Sequence, residues 1–177
     1  FFVGIEETYT KWGPQHLYVI KNLGPGEMPV WYYLGEVTIR RNDMNNPPNA
    51  PEILWRADGN SVFWISKDRV ITEYDLVTGK TASHAKADIL YGVEDGDFLA
   101  VRTVSRKYGS FTHKLVWITV QTGKEKEILR LHNLILGTGV IMPNSSVLCL
   151  IIENTSKFIM SGTVFIDTQS GEVLGKL

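Results

Sequence analysis

Ser110 is a candidate serine nucleophile by its position after a glycine. Ser110 follows a glycine, as the nucleophile does in the hydrolase motif Gly-x-Ser-x-Gly, but Phe111 and Thr112 come next and the motif is not formed. Three acids surround Gly96, at positions 94, 95 and 97, and they are too few for a calcium loop. The sequence therefore predicts a solvated turn at Gly96 and no catalytic residue in this chain.

Histidine and cysteine are the other residues that commonly bind metals. The four histidines are spread along the chain at His16, His84, His113 and His132. None has a second ligand at the spacing of zinc sites, and they fall at different positions within the repeated units described next. The single cysteine, Cys149, lies in an apolar run and is predicted to be a buried, inert thiol. We therefore predict no metal site and no cofactor.

A recurring turn indicates how these residues are positioned. Thr78-Gly79-Lys80, Thr122-Gly123-Lys124 and Ser170-Gly171-Glu172 each follow an apolar, β-rich run, and their glycines are 44 and 48 residues apart. Such a period is typical of stacked supersecondary units. Strand and turn patterns predict four strands in each unit, with the recurring turn between the third and fourth strands. The units are about 51–86, 88–131 and 133–177, after a partial unit at 1–40 that lacks its first strand.

Residues 51–66, PEILWRADGNSVFWIS, resemble the TolB-like repeat, in which a tryptophan, a Ser-Pro-Asp-Gly-like turn and an apolar strand follow in that order. Arg56 and Ala57 replace the usual Ser-Pro. Residues 74–80, YDLVTGK, are also similar to the ends of WD40-like and PQQ-like blades. The resemblance implies an all-β fold of about four four-stranded antiparallel β-propeller blades over 1–177. The partial first blade favours part of a larger ring, because propellers usually have more blades.

Tryptophans would mark a quinone site in a PQQ-like propeller, but the docking repeat of those enzymes is absent. Trp64 and Trp117 lie inside predicted strands, where we expect them to pack between blades. Trp31 is predicted to belong to the core as well. The tryptophans therefore give no reason to expect a cofactor.

Composition and charge exclude some classes of partner. A net charge of −1 gives no long-range attraction to nucleic acid, and the longest apolar run, residues 147–152, is too short for a membrane span. Two Asn-x-Ser/Thr triplets, at Asn144 and Asn154, fall in predicted loops and are candidate glycosylation sites. They favour an extracellular or cell-envelope location slightly. The start at Phe1 instead of Met suggests a processed chain or a piece of a longer one.

The predicted binding surface is the propeller face that carries the loops between the second and third strands and between blades. These loops are predicted at 7–15, 67–69, 105–112 and 153–159, with an interblade loop at 41–50. Aromatic and cationic side chains, which often anchor protein interfaces, are the candidates there: Tyr9, Lys11, Trp12, Arg40, Arg41, Arg106, Lys107 and Tyr108.

Three functions remain open at this stage. The first is a non-catalytic scaffold that binds a protein partner, or the remainder of a larger propeller, through the loop face. The second is the propeller portion of a larger hydrolase, of the peptidase or lactonase type, whose catalytic residues lie elsewhere. The third is a cell-surface or filament subunit that associates with itself through edge strands.

Overall fold

The computed structural model describes residues 2–6, 15–21, 24–37, 53–107, 110–154 and 161–177. Within these ranges the chain forms β-strands and turns, arranged as four antiparallel sheets. None of the described segments is a helix, so none is a helix long and apolar enough to cross a bilayer. The predicted all-β class and its antiparallel sheets are confirmed.

The strands occur in the sheets in sequence order, so that each sheet is a simple meander. The first sheet contains three strands, β1 (Phe2–Glu6), β2 (Gln15–Lys21) and β3 (Val30–Val37). The second contains β4 (Leu54–Trp55), β5 (Ser61–Ile65), β6 (Val70–Asp75) and β7 (Lys80–Lys86). The third contains β8 (Ile89–Glu94), β9 (Asp97–Lys107), β10 (Ser110–Thr119) and β11 (Glu125–His132). The fourth contains β12 (Leu134–Ile141), β13 (Val147–Asn154), β14 (Ser161–Asp167) and β15 (Val173–Lys176).

The recurring turn has the same geometry in all three places. The φ angles of Gly79, Gly123 and Gly171 are 68°, 65° and 79°, in the left-handed region that favours glycine. In each turn the glycine N–H donates to the carbonyl oxygen four residues earlier, at 2.7–2.8 Å. These turns join the third and fourth strands of their sheets, as the sequence predicted.

Neighbouring sheets bury apolar side chains between them. Leu17 and Val19 of the first sheet meet Trp64 of the second, and Phe63 of the second meets Phe98 of the third. A third cluster joins the third and fourth sheets through residues of both, which include Leu99, Val101, Leu115, Leu148, Leu150 and Ile166. Three interfaces of this kind hold the four sheets in series.

Hydrogen bonds and close contacts fix the seam between the third and fourth sheets. The indole N–H of Trp117 donates to the carbonyl oxygen of Thr168 at 2.9 Å, and the Tyr91 hydroxyl donates to that of Gly137 at 3.0 Å. A Cβ at Gly139 would lie 2.8 Å from the Tyr91 ring, so glycine is what lets the two sheets approach so closely. Trp117 therefore packs between sheets, as predicted.

Candidate functional site

A small cleft opens between the second and third sheets. It has a volume of about 210 Å³ and is lined by Ser83, His84, Ala85, Phe98, Ile118, Thr119, Val120 and Gly123. Gly123 belongs to the recurring turn, so the cleft lies beside the hairpin that joins β10 and β11. A cavity of about 150 Å³ is enough for a benzene ring. The cleft therefore has room for a small group, with His84 as the ionisable side chain that lines it.

His84 ends a chain of three charged or ionisable side chains in the second sheet. Its Nε2 lies 2.9 Å from Oε2 of Glu73, and the other oxygen of Glu73 accepts a hydrogen bond from Arg56 at 2.6 Å. The Phe63 ring lies next to His84 and under the Arg56 guanidinium, and the Phe98 ring contacts both His84 and Phe63. The carboxylate orients the imidazole ring, and Arg56 compensates the charge of the carboxylate.

The chemistry available in the cleft is hydrogen bonding. Ser83 adjoins His84 along β7 and lines the cleft with it, at a point where the pairing of β6 with β7 shifts register. The Thr119 hydroxyl is already used, because it donates to Oδ2 of Asp97 at 3.3 Å. Among the described residues, no three His, Cys, Asp or Glu side chains group so that they could hold a metal ion. The histidines at 16, 113 and 132 contact other partners. No motif in the sequence predicts the His84–Glu73 pair.

A hydroxyl and a carboxylate join the start of the second strand to the end of the third strand in two of the sheets. In the fourth sheet the Ser146 hydroxyl donates to Asp167 at 3.1 Å, and in the third sheet the pair is reversed, with Thr119 donating to Asp97. The Asp167 carboxylate also accepts the N–H groups of Ser170 and Gln169, and these bonds hold its pKa below its usual range. This recurring pair fastens the hairpins and belongs to the scaffold.

Acid should weaken the outer strand of the third sheet. Glu127 accepts hydrogen bonds from Arg130 and Lys114, and these lower its pKa from 4.5 to about 2. A carboxyl group whose pKa falls on folding stabilises the protein above pH 4.5, and that contribution is lost as the pH falls toward 2. In urea unfolding from pH 7 to pH 2, Glu127→Gln should therefore be less stable than wild type at pH 7, with the gap closing toward pH 2. Glu172→Gln, on the exposed recurring turn, is the control, and an equal pH-dependent gap for both variants would contradict this assignment.

The inner sheets are buried on both faces. Along β5, Val62 and Trp64 point to the first sheet while Phe63 points to the third, and all three are at most 1% exposed. Along β9, Leu99 points to the fourth sheet and Phe98 to the second. Strands buried on both faces have continuous apolar sequences, as residues 62–65 of β5 and 98–101 of β9 do.

Among the described residues, the first sheet is covered on one face alone. Leu17 and Val19 are fully buried against the second sheet, and the alternate residues of β2 point away from it. Tyr18 pairs with Tyr33 and Ile20 with Trp31 across the sheet, so these four side chains share the outward face, here named the first end face. Trp31 is 60% exposed and Tyr33 is 55% exposed. The prediction that Trp31 belongs to the core is wrong, because no described sheet covers this side.

Aromatic rings are in contact across the first end face. Tyr18 lies 5.4 Å from Tyr33 and 6.0 Å from Trp31 between ring centroids, and the Tyr18–Trp31 contact is edge-to-face. His16 extends the row, with its Nδ1 3.2 Å from the Tyr33 hydroxyl. The nearby carboxylate of Glu36 is paired with Lys67 at 2.7 Å, and this hydrogen bond lowers the pKa of Glu36. The surface is therefore aromatic, and its neighbouring charges are compensated.

The fourth sheet is likewise covered on one face. Leu148 and Leu150 are fully buried against the third sheet, and the alternate residues of β13 point the other way. The side chains on that outward face, here named the last end face, are Val140, Cys149, Ile151 and Phe165. Val140 is 59% exposed and Ile151 is 46% exposed. Cys149 is partly exposed, so the prediction of a buried thiol is wrong for the same reason as that for Trp31.

The predicted loop-face residues fall largely beyond the described ranges. Six lie wholly outside them: Tyr9, Lys11, Trp12, Arg40, Arg41 and Tyr108. Arg106 and Lys107 are the last residues of β9, and their side chains lie outside what the structure describes. The predicted loop at 105–112 is wrong in its bounds, because β9 and β10 continue into it and pair as far as Lys107 and Ser110.

The two glycosylation candidates occupy different settings. Asn144 is exposed at the tip of the turn before β13, with a φ of 57°. The hydroxyl of its triplet, on Ser146, is hydrogen-bonded to Asp167. Asn154 is the last residue of β13 and pairs with Leu134 through the backbone, so its prediction as a loop residue is wrong. Glycosylation at both positions stays a prediction.

Comparisons with known proteins identify the fold. No family model matches the chain, and no curated protein matches its sequence. Among solved structures, "Oligogalacturonate lyase in complex with manganese", a β-propeller, is similar with a TM-score of 0.60 and 14% identity. The match covers 91% of this chain and 46% of that one, so the chain spans about half the length of that structure. At this identity the likeness shows the propeller fold and nothing of the activity.

Proposed function

We propose that this chain is a non-catalytic section of a larger β-propeller and that it acts as a scaffold, binding protein through its end faces. The observation that carries the proposal is the contrast between inner and outer sheets. Residues 62–64 of β5 and 98–101 of β9 are buried on both faces, whereas the apolar runs 17–20 of β2 and 147–152 of β13 are covered by described residues on one face. Side chains such as Trp31 and Ile151 therefore have the character of sheet-to-sheet contacts whose partner is a further blade.

Apolar surface of this kind favours association. Each square ångström of apolar surface removed from water contributes roughly 25 cal/mol, and tryptophan and tyrosine are the usual anchors of interfaces. Contiguous apolar patches are uncommon on monomeric proteins and mark interaction sites. The loop residues at 9–12, 40–41 and 106–108 stay a prediction for a second contact surface, with its own protein partner.

Sedimentation velocity tests this proposal. We expect the chain to associate as its concentration rises, and Trp31→Lys and Ile151→Lys each to weaken that association at least tenfold, because a buried unpaired lysine is costly. Val77→Lys is the matched control: Val77 is an exposed valine in a turn of the second sheet, away from both end faces. A wild-type chain that stays monomeric at all concentrations would contradict the proposal, as would equal weakening by the control.

A second candidate is the propeller portion of a larger enzyme. The similar structure favours it, because that protein is a lyase and this chain spans about half of its length. The His84–Glu73 pair beside the cleft offers a hydrogen-bonding group for a small ligand. A longer reading frame that continues into a Gly-x-Ser-x-Gly segment would favour the hydrolase alternative over the scaffold.

A further inference from the structure

We propose that the partner of the first end face is the last end face of a second copy of this chain, so that two chains dock head to tail. This inference rests on the proposed function and specifies the partner. A head-to-tail contact joins two different surfaces and is heterologous, unlike the self-complementary contact of a symmetric face-to-face dimer. The two alternatives differ in which surfaces touch, and this difference is what an experiment can measure.

The order of the sheets supports head-to-tail docking. Each inner sheet has a preceding side, which packs on the sheet before it in the sequence, and a following side, which packs on the sheet after it. At each internal seam the following side of one sheet meets the preceding side of the next, as where Phe63 of the second sheet meets Phe98 of the third. The last end face is the following side of the fourth sheet, and the first end face is the preceding side of the first sheet. Docking them continues the series of seams that the chain already uses three times. Docking two like faces would place sheets in an arrangement found nowhere among the described sheets.

The side chains of the two faces are also suited to each other. The first end face presents the rings of Tyr18, Trp31 and Tyr33, and the last end face presents Val140 and Ile151 together with the ring of Phe165. The internal seam between the first and second sheets also joins aliphatic and aromatic side chains, with Leu17 and Val19 packed against Val62, Trp64 and Tyr74. Aromatic rings against branched aliphatic side chains therefore already form a stable seam in this protein.

The number of sheets is compatible with a pair of chains. The described residues of one chain form four sheets, so two such chains joined at both ends would bring eight of these sheets together. Closed propellers typically have four to eight blades. Two head-to-tail contacts would then cover both end faces of both chains, and no apolar end face would stay in water.

Complementary single-face variants distinguish these arrangements. Trp31→Lys disables the first end face and Ile151→Lys disables the last, and both side chains are exposed enough for the chain to fold with lysine. In head-to-tail docking each variant alone is monomeric, since every contact needs one intact face of each kind. In an equimolar mixture, the intact last end face of Trp31→Lys can dock on the intact first end face of Ile151→Lys. We expect the two variants to form a one-to-one complex in sedimentation equilibrium, bound at least tenfold more tightly than either variant binds itself.

The outcomes separate this inference from the proposed function. If Ile151→Lys alone pairs, or Trp31→Lys alone pairs, like faces dock and the head-to-tail inference is overturned, while the end faces still bind protein. If the wild-type chain associates but the mixture does not, the head-to-tail inference is also overturned. If the wild-type chain never associates, both proposals fail. Tyr33→Lys and Val140→Lys provide a second pair on the same two faces, and circular dichroism melting of each variant verifies its fold.

Discussion

Replacing Trp64 by alanine is expected to lower the free energy of unfolding by about 3–5 kcal/mol, the usual cost of removing a large aromatic side chain from a core. Trp64 is 1% exposed and lies where the first sheet packs on the second, against Leu17 and Val19. The substitution leaves a cavity that the facing strands cannot fill, since both belong to hydrogen-bonded sheets. For a chain of this size the loss corresponds to a fall in melting temperature of roughly 6–20 °C.

Trp55→Ala is the matched control, because Trp55 belongs to the same sheet and is 41% exposed. Its replacement should cost well under half as much as that of Trp64 in urea unfolding. Equal losses for the two variants would show that Trp64 is not held between two sheets, and the serial packing of the sheets would then be wrong.

The repeated turn made most of the fold predictable from sequence. A glycine with positive φ has a strong local preference, so the spacing of Gly79, Gly123 and Gly171 located the hairpins and, with them, the sheets. The ends of the strands were harder to predict than their positions, because the pairing of β9 with β10 extends through residues such as Arg106, which have no strong strand preference of their own. Long-range pairing determines where these strands end.

The candidate site was much less predictable. The His84–Glu73 contact depends on the register of β6 with β7, which no local pattern specifies. The exposure of Trp31 and Cys149 depends on how many sheets surround them, and the continuous apolar run of β13 is of the kind found in strands covered on both faces. The contrast between covered and uncovered faces appears only when the sheets are seen side by side.

Cys149 provides a direct probe of the last end face. It lies on β13 between Leu148 and Leu150, whose side chains point the opposite way, and it is the only cysteine in the sequence. A neighbouring chain docked on this face would exclude a thiol reagent from it. Labelling of the native protein therefore reports coverage of a single known position without any substitution on that face.

The rate of Cys149 labelling as a function of chain concentration tests the central claim, that the end faces bind further protein, most directly. We predict that labelling of the wild-type chain slows at least tenfold from dilute to concentrated protein. In Trp31→Lys, whose first end face cannot cover a neighbour, the rate should stay constant, and in Val77→Lys it should slow as in the wild type. A wild-type rate that does not change with concentration would contradict the central claim, whereas equal slowing in Trp31→Lys would overturn the head-to-tail inference alone.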